Sequence, residues 1–141
     1  MNEIIQKAIH FARQKHKGQE DDSGEDYFYA HLFPVFCTLK HFTDDENLLS
    51  ASLLHDTLED TNTTWEELVK EFNLDVANLV FEVTHEGKKD TYGYYFPRLK
   101  TQRGIMLKFA DRLSNLSRMD CWDEERKQQY LRKSKFWKDG E

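Results

Sequence analysis

The chain has 141 residues and a formal net charge of −6, with 38% hydrophobic, 33% charged and 13% aromatic residues. That length suits one domain with a real core, and the aromatic content argues against disorder. No apolar run is long enough to span a membrane, and an acidic chain is poorly suited to neutralising the phosphates of a nucleic acid.

Met1-Asn2-Glu3 lacks the pattern of a secretory leader. The two cysteines, Cys37 and Cys121, have no metal-like spacing and read as reduced thiols. A cytoplasmic protein is therefore expected, and the sequons at Asn62 and Asn115 are taken as chance. An acidic chain can still bind a small anion when a cation sits in its pocket.

Helical spacing dominates the chain. Ile5, Ala8, Ile9 and Ala12 mark a first helix over residues 2–17. Residues 18–30 break the pattern and read as a loop. A second helix is expected from about His31 to His41. Thr43 with Glu46 has the form of a capping box opening a third helix, which runs through Leu48, Leu49, Leu53 and Leu54 to about Glu59. Thr64-Trp65-Glu66-Glu67 repeats the capping pattern and starts a short helix ending near Phe72. Another helix spans about Asp75 to Thr84. Residues 85–100 read as a loop, and 101–120 and 123–137 as two closing helices. Trp122, Tyr130, Leu131 and Trp137 would form the apolar stripe of the last one. No strand pattern, repeat or linker is evident, so one all-α domain over 1–141 is expected.

Three segments carry candidate chemistry. In Leu53-Leu54-His55-Asp56-Thr57-Leu58-Glu59-Asp60-Thr61, helical spacing aligns His55 with Glu59 and Asp56 with Asp60. An imidazole and three carboxylates then gather beside a buried stretch, which is costly without a neutralising cation. A divalent metal supplies that cation, since imidazole and carboxylate are common ligands. The alternative is a solvated acidic helix end capped by Asp60. In Lys108-Phe109-Ala110-Asp111-Arg112-Leu113-Ser114-Asn115, Asp111 and Asn115 share a face with Lys108 nearby, which alone reads as an ordinary surface pairing. His31, followed by Pro34 and Val35 and preceded by Tyr27, Phe28 and Tyr29, gains weight only from the other two.

Together the three resemble the HD superfamily, whose ligands run as a His, a His-Asp pair and a distant Asp. More narrowly, the chain resembles the RelA/SpoT-type hydrolase domains and their small stand-alone relatives, which remove the 3′-pyrophosphate from the alarmone (p)ppGpp. The resembling segments are Ala12–Gln19, His31–Val35, His55–Thr61, Glu82–Thr84 and Lys108–Asn115. The His-Asp-x-x-Glu-Asp-Thr run is the discriminating part.

The resemblance implies a helical bundle around a single metal site, with manganese the usual ion, held by His31, His55, Asp56 and Asp111. It places Glu59 and Asp60 on the catalytic pair, and Lys17, Lys108, Arg112 and Asn115 at substrate-binding or ligand-orienting positions. The metal would lower the pKa of a bound water and polarise a phosphoryl oxygen. Glu59, with Asp60, would position that water and take its proton.

The implied partner is a small-molecule nucleotide, with neither nucleic acid nor membrane; self-association into a homo-oligomer stays open. The alternatives are an HD-type nucleotidase acting on another nucleotide, and a catalytically silent metal-binding sensing module.

The chain departs from the family in three places. Glu20-Asp21-Asp22 stands where a basic run usually follows the glutamine. Pro34 lies three residues after His31 instead of next to it. His85 replaces an acidic residue and reads either as a pocket contact or, the favoured reading, as a helix-end histidine. Lys88, Lys89, Arg98, Lys100 and Arg103 are candidates for neutralising phosphate. Tyr92, Tyr94, Tyr95 and Phe96 would either stack on a base or cover the core.

Overall fold

A computed structural model describes residues 2–89 and 95–117. The expected docking stripe of Trp122, Tyr130, Leu131 and Trp137 lies outside the described residues, as does Cys121. The bundle comprises α1 (Glu3–Lys15), α2 (Phe33–Lys40), α3 (Glu46–Leu54), α4 (Thr57–Asp60), α5 (Trp65–Glu71), α6 (Leu74–Val83) and α7 (Gln102–Leu116). The fold is helical, as its spacing predicts. None of the described helices is long and apolar enough to cross a membrane.

α3 is the central rod. Every residue from Leu48 to Leu54 is buried, and the helix packs against α1, α2 and α6. α1 starts where Asn2 accepts a hydrogen bond from the Ile5 amide, and it buries Ile5, Ala8 and Ala12. α5 begins as predicted, with Thr64 accepting from the Glu67 amide. Asn73 caps α6 in the same way.

Three expectations are corrected. The second helix does not start at His31: a π-helical turn over Phe28–Leu32 precedes α2. Pro34 explains it. Proline has no amide proton to give the carbonyl four residues back, and its ring crowds that carbonyl, so the backbone widens. The Phe33 amide bonds Phe28 O instead.

The third helix is not capped by Thr43 and does not run unbroken to Glu59. Asp45 is the cap, accepting from Asn47 N and Leu48 N, while Thr43 Oγ1 takes the Asp45 amide. The helix stops at Leu54 because side chains take over its last carbonyls. His55 Nδ1 reaches Ser52 O at 2.6 Å, and Thr57 Oγ1 reaches Leu54 O at 2.7 Å. The short α4 then restarts from Asp56.

Residues 85–100 are not all loop. β1 (His85–Lys89) and β2 (Tyr95–Pro97) form an antiparallel ribbon with His85 opposite Pro97 and Lys89 opposite Tyr95. Its pairing rests on backbone bonds, which is why no apolar alternation announces it.

α7 is anchored by a buried carboxylate. Glu82 accepts hydrogen bonds from the amides of Lys100 and Thr101 and from Thr101 Oγ1. A Cβ at Gly104 would collide with that carboxylate. Arg103 joins α7 to Asp45 and Asp75, donating to both. These contacts fix the axis along which Lys108, Asp111 and Ser114 face the core.

Candidate metal centre

Four elements deliver the four expected ligands. His31 comes from the π-helical turn, His55 from the end of α3, Asp56 from the break before α4, and Asp111 from α7. One ligand atom from each lies within 4.8 Å of all the others. His31 Nε2 is 3.2 Å from His55 Nε2 and 2.9 Å from Asp111 Oδ1. His55 Nε2 is 3.3 Å from Asp111 Oδ1 and 3.2 Å from Asp56 Oδ2. His31, His55 and Asp111 are buried.

The donor set fits a divalent cation. A carbonyl oxygen only accepts, so the His55 bond to Ser52 O puts the ring proton on Nδ1 and turns the Nε2 lone pair inward. His31 Nδ1 is likewise held, 2.9 Å from Ser114 Oγ. Two imidazole nitrogens and two carboxylates thus converge, and their lone pairs need a proton or a metal between them.

The titration behaviour carries the same message. Burial alone would lower the His55 pKa, but the Asp56 and Asp111 carboxylates hold it well above the ordinary value. Burial alone would raise the carboxyl pKa values. The His55 imidazolium lowers Asp56, and Lys108 with the two histidines lowers Asp111.

Glu59 and Asp60 flank this cluster on α4 and are exposed on their outer side. Burial of the inner side, then the charge of Asp56, raises the pKa of each. Glu59 Oε1 accepts from the His85 amide at 3.1 Å. His85 directly follows Thr84, the C-cap of α6, and its backbone reaches the site. Asp60 Oδ2 accepts from Gln19 Nε2 at 3.3 Å.

The expected substrate contacts divide. Lys108 is buried with Nζ 3.1 Å from Asp111 Oδ2, so it orients a cluster carboxylate. Lys17 is exposed, on the wall of a cavity of about 430 Å³ shared with His10, Arg13 and Tyr29. Arg112 and Asn115 stand on α7 on either side of Ser114.

Two candidate phosphate cations make contacts within the fold. Arg103 is engaged by Asp45 and Asp75, and Arg98 donates to Thr84 O while stacking on the Phe81 ring. The side chains of Lys88, Lys89, Tyr92, Tyr94, Tyr95 and Phe96 lie outside the described residues.

Sequence reasoning missed the groups behind the ligands. Tyr27 OH donates to Asp56 Oδ2 at 2.6 Å. Burial, then the Asp56 charge, pushes its phenol far above the usual range and keeps it a donor. His16 Nδ1 lies 2.7 Å from Gln19 Oε1, behind the amide that reaches Asp60. In the acidic loop, Asp21 Oδ1 accepts from Ser23 N, Ser23 Oγ and Glu25 N, so this carboxylate shapes its own turn. Ser114, Gln19 and Tyr27 all lie in or beside the motif segments, and that position was their only sequence mark.

A helical bundle whose His and Asp side chains converge from four elements defines a class of metal-binding domains. The family model described as HD domain matches residues 8–92, and the chain belongs to the HD domain family. It is 37% identical over 142 residues to a guanosine-3′,5′-bis(diphosphate) 3′-pyrophosphohydrolase of Xenopus tropicalis, covering 91% of this chain and 79% of that protein. It is 36% identical to the enzyme of the same name in Aquifex aeolicus, covering 94% of this chain but only 20% of that longer protein. The relative from Spiroplasma citri, 38% identical, is covered over 19% of its length. Among solved structures, a metazoan ortholog of SpoT that hydrolyzes ppGpp superposes with a TM-score of 0.81 at 28% identity, over 95% of this chain and 83% of that one.

Proposed function

We propose that this chain is a divalent-metal-dependent pyrophosphohydrolase that removes the 3′-pyrophosphate of (p)ppGpp, folded as a single domain over residues 1–141 and acting in the cytoplasm. One observation carries the reading: two imidazole nitrogens and two carboxylate oxygens converge within 4.8 Å, beside a Glu-Asp pair with raised pKa values. The Xenopus relative, similar in length and bearing that activity as its name, supports the choice of substrate.

In this reading His31, His55, Asp56 and Asp111 hold the metal, with manganese the proposed ion. The bound ion supplies Lewis acidity toward water and a phosphoryl oxygen. Glu59 orients the attacking water and accepts its proton, and its raised pKa brings it nearer to the working pH. The His85 amide fixes one carboxylate oxygen of Glu59, leaving the other for the water. Asp60, steadied by Gln19, backs the same position. Lys108 holds Asp111, while Lys17, Arg112 and Asn115 face the nucleotide. The partner is a small nucleotide, not a nucleic acid, whether the chain acts alone or as a homo-oligomer.

A panel of nucleotides incubated with manganese tests this, reading pyrophosphate against orthophosphate. Release of pyrophosphate from (p)ppGpp is expected. Orthophosphate from other nucleotides alone would favour an HD-type nucleotidase, and no turnover would favour a sensing module.

A further inference from the structure

We infer that Tyr27 is a positioning residue for the metal, locking the Asp56 carboxylate in its ligating orientation through a phenol hydrogen bond. This inference rests on the metal reading above.

The phenol meets the oxygen that matters. Tyr27 OH lies 2.6 Å from Asp56 Oδ2, and the same oxygen stands 3.2 Å from His55 Nε2 and 3.5 Å from His31 Nε2. Asp56 therefore turns one oxygen toward the cluster and shares it with the tyrosine. Asp56 sits at the backbone break between α3 and α4, as the N-cap residue of α4, and its side chain makes no capping hydrogen bond there. Groups behind a ligand commonly fix its orientation in this way.

The tyrosine is itself held. Its ring lies between those of His16 and His31, with centroids 5.5 and 5.3 Å away. Its amide donates to Gln19 O at 3.0 Å, and Glu20 pairs with Asp26 to close the loop. Gln19, at the other end of the same loop, sends its side chain to Asp60. The loop thus places two donors on two carboxylates of the site, the phenol on a ligand and the amide on a flanking acid.

Tyr27→Phe keeps the ring between the two histidines and removes only the hydroxyl. The test is competition of the full-length protein with a chromophoric chelator for Mn2+, together with the melting temperature of the metal-free protein. Mn2+ affinity is expected to fall about 10–100-fold, as for loss of an outer-shell partner, while metal-free melting stays close to wild type. Gln19→Leu, which loses the contacts with Asp60 and His16 and leaves the Tyr27 phenol on Asp56, is expected to keep wild-type affinity. Affinity within twofold of wild type in Tyr27→Phe, with the wild type binding Mn2+, overturns this inference and leaves the metal site standing. Equal losses in both variants also overturn it, because the loop would then act only as a cover. No Mn2+ binding by the wild type would overturn both readings.

Discussion

His55 gives its Nδ1 proton to the carbonyl oxygen of Ser52, 2.6 Å away, on the turn of α3 that precedes it. The bond ends the helix and fixes the tautomer at once. Without metal, the inward Nε2 takes a proton, since Asp56 and Asp111 hold the His55 pKa well above 6.5 against the effect of burial.

Metal and proton therefore compete for one lone pair. Affinity for Mn2+ should rise with pH up to the His55 value and level off above it, with proton release on binding. The metal-free protein should follow the opposite trend in stability. A raised folded pKa stabilises it fully below the unfolded value near 6.5, and that contribution is lost as pH rises through the folded value. Calorimetric titrations in buffers of different ionisation enthalpy, with melts across the same pH range, check both trends.

Glu59→Gln should keep the fold and the metal but lose about 10²–10⁴-fold in turnover, the usual weight of a general base. In the metal-free site, burial and the Asp56 charge raise the Glu59 pKa, and with metal held saturating the acid limb that belongs to Glu59 should be absent from the variant. Steady-state rates against pH for both proteins decide it.

Gly104→Ala should destabilise the domain by about 1–3 kcal/mol, the usual cost of forcing extra volume into a packed site. Its Cβ would meet the Glu82 carboxylate, which anchors the start of α7 through Lys100 and Thr101. Chemical denaturation reads the loss. Because α7 carries Asp111, metal affinity should fall along with stability.

The acidic loop now has two parts. Asp21 folds onto Ser23 and Glu25, so charge reversal there would break the turn itself. Glu20 is exposed, next to the Gln19 that touches Asp60. Glu20→Arg should lower the Michaelis constant for (p)ppGpp by an amount worth under about 1 kcal/mol, and the gain should shrink with added salt. Kinetics at low and high ionic strength would show it.

The four cluster residues were readable because their order, a His, a His-Asp pair and a distant Asp, resembles the HD superfamily, while the His55-Asp56 segment alone pointed to a cation through its carboxylates beside an apolar stretch. The helix break at His55 was not readable. It depends on the side chains of His55 and Thr57 replacing amide donors, and both residues also suit a helix interior. The π-helical turn was marked only by Pro34, whose missing amide proton disrupts the bonding that a simple period assumes. The β1–β2 ribbon rests on backbone pairing with no hydrophobic alternation to reveal it. Tyr27 reaches Asp56 across 29 positions, a contact that no local spacing encodes.

Metal content per chain is the most direct check of the centre formed by His31, His55, Asp56 and Asp111. After loading with Mn2+ and removal of free ion, the wild-type protein should hold one equivalent, and His55→Ala and Asp111→Ala should hold close to none while staying folded. Unchanged stoichiometry in both variants would contradict the account.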